Sequence, residues 1–249
     1  MTGGSRGIGK AVAAALVAEG AIVTICGRTA DTLAAASAEL GVHSVVADTG
    51  DDESVRALVA SAVAAMGGVD ILVNAAATPG GQARPPVLAE ITTEAFWSDV
   101  NVKVLGYLRC AQAVAPGMVE AGWGRIISIS GLAARSTGST IGSIRNAAVA
   151  AMTKNLADAL GPHGINVTVV HPGLTRTEAT PGVLAARAAA GGVAPADIER
   201  QLAQGNSTRR LVDATEVAAV ITFLASPRSV AINGDAIACG GGALGAIHY

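Results

Sequence analysis

Short apolar, β-branched runs alternate with longer Ala-rich stretches of helical period along almost the whole chain. The runs Ala21–Cys26, His43–Ala47, Val69–Val73, Arg125–Ile129, Asn166–Val170 and Ala236–Cys239 read as strands. Between them lie the helical patterns Lys10–Glu19, Ala30–Leu40, Asp52–Met66, Val104–Ala121, Ile144–Leu160 and Ala214–Ala225. The strand runs lack the apolar/polar alternation of a half-exposed sheet and are separated by helices. That order predicts parallel strands covered on both faces. The expected fold is therefore α/β: a Rossmann-like doubly wound parallel sheet in three layers, αβα. No internal repeat, low-complexity linker or composition break divides residues 1–249, so a single domain is expected. The segment 178–210 breaks the rhythm, with weak helical signal punctuated by Pro181, Gly191, Gly192 and Pro195. It follows a strand end, where open α/β sheets bind ligands, and is expected to be a substrate lid.

The run Thr2-Gly3-Gly4-Ser5-Arg6-Gly7-Ile8-Gly9 is a Gly-rich turn that passes directly into a helix. Glycines permit the tight turn and let backbone N–H groups approach a pyrophosphate at the helix N-terminus. Gly3, Ser5, Arg6, Gly7, Ile8 and Gly9 are the candidate phosphate-binding residues. Such a turn should follow a strand, and only Met1 precedes it here. The first central strand of the doubly wound order is thus absent from the given sequence. The expectation is that the native chain starts upstream, with an apolar strand residue read as the initiator Met; an intact mass equal to residues 1–249 would refute it. Otherwise another segment supplies the strand, or the boundary is artificial. The second strand ends in Cys26-Gly27-Arg28. An Arg at that place favours a ribose 2′-phosphate where an acid would favour the free 2′-OH, so Arg28, with Arg6, points to NADP(H) over NAD(H). Asp48 and Thr49, after the third strand, are expected near the adenine. Asn74, Ala75 and Ala76 close the fourth strand with small residues that admit a ligand.

Composition narrows the class. Aromatic residues are 2% of a chain that is 51% hydrophobic, so the core must be aliphatic. A net charge of −2 argues against a nucleic-acid surface. Cys26, Cys110 and Cys239 are odd in number and lack CxxC spacing, which suits reduced thiols and neither a disulfide frame nor a metal site. No apolar run reaches membrane length, since Glu19 and Gly20 interrupt Ala11–Cys26, and the start lacks a signal-peptide pattern. A cytoplasmic protein is expected, with a small-molecule substrate and neither membrane nor nucleic acid as partner.

Taken together, these motifs resemble the short-chain dehydrogenase/reductase family over nearly the whole chain. The resemblance rests on the TGxxxGxG turn (Thr2–Gly9), Asn74-Ala75-Ala76-Ala77 as a version of N-N-A-G, Asn101 in DVNVKVLGY, the strand Gly124–Ser130, AAVAAMTKNLADAL, His171–Thr177, and Ile221–Gly242. It implies an oxidoreductase that binds the dinucleotide also through Asn146, Pro172, Gly173, Leu174, Thr175 and Thr177. It further implies a homodimer or homotetramer, through helices Val104–Ala121 and Ile144–Leu160.

The resemblance implies a catalytic Tyr, a Lys four residues later, a Ser and a helix Asn. Gly142 stands at the Tyr position, Asn146 at the Lys position and Gly131 at the Ser position, with Ser130 just before it. Asn101 is in place. Tyr107 is expected to pack, and Tyr249 would reach the site only through the chain end. Replacement proton donors are Ser128, Ser130, Ser143 and His171, the last able to titrate near neutrality. Against these roles, Ser130 would cap backbone groups, His171 would pack at a strand end, Arg145 and Asn146 would be a solvated pair, and Lys103 and Lys154 would be surface charges, with Lys103 on a different helix face from Asn101. Three activities stay open. One is hydride transfer to or from a ketone, imine or enone by a non-standard proton path. Another is non-redox chemistry, as a lyase, isomerase or hydrolase, on a retained dinucleotide site. The third is a nucleotide-sensing pseudoenzyme.

Overall fold

The helical and strand patterns order the chain as follows in a computed structural model that describes residues 1–78 and 85–245. Helix α1 (Gly7–Ala18) leads to β1 (Thr24–Gly27), α2 (Ala30–Leu40), β2 (His43–Val46), α3 (Asp52–Met66) and β3 (Ile71–Asn74). Helix α4 (Thr93–Val100) runs through a π turn (Asn101–Leu105) into α5 (Gly106–Ala121), and β4 (Gly124–Ile129) follows. Next come α6 (Thr140–Leu160), β5 (Ile165–Pro172), β6 (Thr175–Arg176), α7 (Thr180–Gly191), α8 (Pro195–Ala203), β7 (Val212–Asp213), α9 (Ala214–Ala225) and β8 (Ala236–Cys239). Capping explains several of these boundaries. The side chains of Asp51, Thr92 and Ser139 accept the N–H groups of Ser54, Ala95 and Gly142, opening α3, α4 and α6. Gly41, Gly67 and Gly122 end α2, α3 and α5 in the left-handed conformation.

The sheet confirms the α/β doubly wound reading. Strands β3-β4-β5-β8 pair in parallel, as do β1 with β2 and β6 with β7. The β1–β2 pair joins the four-stranded sheet through Met1 and Thr2: Cys26 N–H donates to the Met1 carbonyl and Thr2 N–H to the Val73 carbonyl, each at 3.0 Å. Beside this bridge lies a cavity of about 220 Å³ lined by Val23, Leu58, Ala62, Ile71, Leu72 and Val114. One core layer packs α1 and α9 on the sheet through Val12, Ile25, Val73, Ile127, Val170 and Ile221. The other packs α3 and α5 through Val55, Leu72, Val114, Met118, Ile126 and Ile165. Both are aliphatic.

Two readings of the pattern need correction. Residues 178–210 are mostly helical: Pro181 and Pro195 occupy the first turns of α7 and α8, and Gly192 caps α7 in the left-handed conformation. The punctuation therefore marks helix ends. Helix α6 also begins four residues before Ile144, because Ser139 caps it, which places Gly142 and Asn146 on the helix itself. Among the described residues, no helix is long and apolar enough to cross a membrane.

Candidate functional site

The carboxyl ends of the parallel strands gather the predicted residues into two neighbouring groups. The first is the turn before α1. Gly3 and Gly7 have φ of +63° and +57°, in the region that favours glycine. A Cβ on Gly9 would fall 2.2 Å from the Gly3 carbonyl oxygen, so the turn closes directly onto its helix. The Thr2 hydroxyl accepts from Ala75 N–H at 3.0 Å and Ala76 N–H at 3.1 Å, fixing the end of β3 against the turn. Asn74 is buried there, with both amide atoms unpartnered among the described residues.

The helix end acts as an anion site: Gly7 N–H donates at 2.8 Å to the Glu178 carboxylate, which arrives from beyond β6. Thr177 comes with it, its methyl 3.8 Å from where a Gly7 Cβ would lie. Upstream, Thr175 Oγ1 donates to the Gly173 carbonyl, and Gly173 packs on Gly240 so closely that a Cβ would meet its Cα at 2.8 Å. Pro172 is buried in β5, while Leu174 is exposed. Ser5 Oγ would lie 3.3 Å from a Gly27 Cβ, so Arg6 and Arg28, the next residue of each segment, flank one spot. Both are exposed, and their guanidinium groups have no hydrogen-bond or ion-pair partner among the described residues. Ile8 lies in the first turn of α1 and packs on the core.

Asp48 and Thr49 sit at the end of β2, where Asp48 Oδ1 accepts Gly50 N–H at 2.8 Å. Here Asn101 departs from expectation. Its amide donates to the Gly50 carbonyl at 3.0 Å and accepts from Arg109 Nη1 at 2.9 Å. Arg109 also reaches the Thr49 carbonyl and Asp52. Asn101 thus braces the loop after β2, and its side chain is engaged away from Ser130.

The second group surrounds the end of β4. Ser130 Oγ donates to the Asn146 carbonyl at 3.1 Å, consistent with a capping role, and Ser128 is buried within the strand. Gly131 N–H donates to His171 Nδ1 at 3.3 Å. His171 is 1% exposed, and burial first, then Arg135 and Lys103, lower its pKa to about 4. It therefore does not titrate near neutrality as expected from the sequence. Ser143 Oγ is committed to the Ser136 carbonyl at 2.9 Å. Asn146 is buried with Oδ1 unpartnered among the described residues, and its Nδ2 lies 3.1 Å from where a Gly131 Cβ would be. A Cβ on Gly142 would meet Ser139 Oγ at 2.7 Å. Tyr107 is fully buried, its hydroxyl donating to the Ile129 carbonyl at 3.0 Å. Tyr249 lies outside the described residues.

Two features were missed. Arg145 is half-buried and ion-paired with Asp99 rather than solvated. Lys103, expected at the surface, is 4% exposed and donates to the Ser130 carbonyl at 3.0 Å. It does lie on a different face from Asn101, and that face turns inward. Lys154 is exposed and pairs with Asp158. The i→i+5 widening at Asn101–Leu105 shifts the helical register, so α-helical spacing gives no signal for Lys103.

The turn fits a dinucleotide's diphosphate: backbone donors are exposed at a helix N-terminus, glycines occupy the places where a Cβ would obstruct, and an anionic group is already held there. The chain matches the family described as enoyl-(acyl carrier protein) reductase over residues 3–243. It is 33% identical to the short-chain reductase protein NovJ of Streptomyces niveus, covering 97% of this chain and 92% of that protein. It is 32% identical to the 3-oxoacyl-[acyl-carrier-protein] reductase of Vibrio harveyi over 97% and 95% of the two chains. The L-sorbose reductase of Gluconobacter frateurii, solved with NADPH and L-sorbose, superposes with a TM-score of 0.92 at 28% identity, covering 99% of this chain and 96% of that one. With the sheet order and the glycine turn, these similarities place the chain in the short-chain dehydrogenase/reductase family.

Proposed function

We propose that the protein is an NADP(H)-dependent reductase or dehydrogenase of a small organic carbonyl, imine or enone, working by a proton path that does not use the family's Tyr and Lys. The observation that carries the dinucleotide reading is the carboxylate on Gly7 N–H, an anion already seated where a diphosphate would lie. Thr2, Gly3, Gly7 and Gly9 would hold the diphosphate, with Asn74–Ala76 and Pro172–Thr177 lining the approach. When bound, the dinucleotide supplies or accepts a hydride equivalent. Arg6 and Arg28, exposed and without an acidic partner among the described residues, favour the 2′-phosphate form. NADPH binding in the L-sorbose reductase supports the same preference.

The substrate side is altered. Gly142 and Asn146 stand at the family's Tyr and Lys positions on α6, and Gly131 at its Ser position. An imine suits a site without the phenol, because an iminium takes hydride without forming an oxyanion; a carbonyl or enone substrate would need another proton donor in its place. Helices α7 and α8, on the chain segment that brings Glu178 to the turn, would cover the substrate. One domain spanning residues 1–249, a homodimer or homotetramer through α5 and α6, and a cytoplasmic location complete the proposal.

The test is a fluorescence titration with NADPH and NADH, followed by a panel of L-sorbose, a 3-oxoacyl thioester, a cyclic imine and an enone read at the nicotinamide absorbance. Tighter NADPH binding and turnover of one panel member are expected. Tighter NADH binding overturns the role of Arg28. NADPH binding without turnover of any panel member overturns the redox assignment in favour of a non-redox or sensing protein.

A further inference from the structure

We propose that Lys103 is the group that gives and takes the proton at this site, in place of a phenol at position 142. The inference rests on the dinucleotide-dependent reading above and identifies its proton path. Lys103 extends from the π turn to the carboxyl end of β4, the strand end that also carries Gly131. Its acceptor residue, Ser130, is tied by its own hydroxyl to Asn146, and Gly131 is tied to His171. The ammonium therefore sits among the positions that replace the family's Ser and Lys. Beside it, Asn146 Oδ1 is buried and unpartnered among the described residues, an acceptor available to a ligand hydroxyl.

Among the described residues, the charged groups around Lys103 leave it without a counter-ion of its own. Asp99 on α4 is paired with Arg145 on α6. His171 on β5 is neutral, with Arg135 behind it. The single hydrogen bond of the ammonium among the described residues goes to a neutral carbonyl. Burial, helped by Arg145 and only partly opposed by Asp99, lowers its pKa to about 7. Other titratable groups nearby cannot serve: burial pushes the Tyr107 hydroxyl well above its ordinary range and holds His171 at about 4. A pKa near the working pH is what a proton donor that must also be recharged requires.

The step balances with groups already named. When a hydride equivalent reaches the substrate carbon, Lys103 would give its proton to the developing oxyanion. The Nζ–H bond breaks, the O–H bond forms, the electron pair stays on Nζ as a free amine, and water reprotonates it. Oxidation of the alcohol runs the same transfer backwards.

The experiment reads the side chain directly. The chain has three lysines, Lys10, Lys103 and Lys154, so a protein labelled at lysine ¹³Cε gives three resonances, assigned with Lys10→Arg and Lys154→Arg. One resonance, that of Lys103, is expected to titrate near pH 7 and to shift on addition of NADPH. Absence of NADPH binding in the fluorescence titration overturns the dinucleotide reading and the proposed role with it. NADPH binding with a Lys103 resonance that neither titrates between pH 6 and 8 nor shifts overturns the role alone. With the turned-over panel substrate, Lys103→Met should lower kcat/KM by about 10²–10⁴-fold. NADPH affinity should stay within about twofold. The wild-type fall in reductive kcat/KM as pH rises through about 7 should disappear. Lys103→Arg keeps the charge and the bond to Ser130 but holds its proton throughout this range. Rescue by Arg would show a merely structural role and overturn the proposal.

Discussion

In the turn Thr2–Gly9 the groups proposed to face the ligand are backbone N–H donors held in place by glycines, whereas around Ser130 they are side chains arriving from the π turn, β4, α6 and β5. The two groups share one edge of one sheet. They differ in what a substitution can alter. A backbone cradle depends on atoms every residue possesses and fails only where a side chain intrudes. A side-chain cluster changes its chemistry with each residue while its frame stays intact. This contrast would let the proposed phosphate turn persist while Gly142 and Asn146 stand in the proposed reaction cluster.

The largest effect should come from adding one methyl group on the backbone side. In Gly9→Ala the Cβ would overlap the Gly3 carbonyl at 2.2 Å, and the neighbouring atoms at that point are backbone. Loss of about 3 kcal/mol or more of stability and of NADPH binding is expected, checked by chemical denaturation and fluorescence titration. The matching change in the reaction cluster, Gly131→Ala, meets only the Asn146 amide at 3.1 Å. That side chain can shift by a few tenths of an ångström, so a cost of about 1 kcal/mol or less is expected. Equal costs would show that the two regions are not built differently.

The next effect is pH dependence, and it belongs to the side-chain region. An unfolded chain protonates His171 near its ordinary 6.5, whereas the folded chain does so at about 4. Between those values the unfolded state binds more protons, so stability falls as pH drops from about 6.5 to 4. For Lys103 the folded value is about 7 against an ordinary 10.5, so stability rises with pH across that higher window. Lys103→Met should flatten the upper window and, by removing a buried ammonium with no carboxylate of its own, raise stability at neutral pH. Urea denaturation from pH 4 to 10 measures both. A Lys103→Met curve parallel to wild type above pH 7 would contradict this account.

What the sequence disclosed follows the same division. Strand runs, helix periods and the glycine turn were legible because burial and backbone geometry dictate them locally, and the sheet order agrees. Less legible was everything set by long-range contact. The weak periodicity of residues 178–210 concealed α7 and α8, whose prolines start helices rather than break them. Lys103, expected at the surface, faces β4, and Asn101, expected at the reaction site, braces the Gly50 loop, because a π turn changes which side chain points which way. No local spacing encodes that a carboxylate at position 178 would reach the turn at position 7.

That carboxylate supports a smaller prediction, back on the backbone side. Glu178 holds the Gly7 N–H, so an incoming diphosphate must displace it and meets a negative charge beside the helix end. Glu178→Gln removes the charge and weakens the contact. NADPH should bind about two- to fivefold more tightly, in line with the 0.3–1 kcal/mol of an exposed charge at a helix terminus. The gain should shrink at high salt, where such charges are screened. Unchanged affinity at low salt would mean that the carboxylate does not compete with the diphosphate.

A last effect tests the neutral packing beneath both regions. Tyr107 is fully buried, and its hydroxyl satisfies the Ile129 carbonyl one residue before Ser130. Tyr107→Phe keeps the ring contacts with Val149 and Val169 and removes one neutral hydrogen bond. A cost of about 1 kcal/mol is expected by urea denaturation, because the ring fills the same space and only one buried acceptor loses its partner. Since the phenol is held far above its ordinary range by burial and already donates to a carbonyl, it transfers no proton at working pH. The pH profile of kcat/KM should therefore keep its limb near 7 in this variant. Loss of that limb in Tyr107→Phe, with stability little changed, would move the proton path from the Lys103 ammonium to the buried phenol.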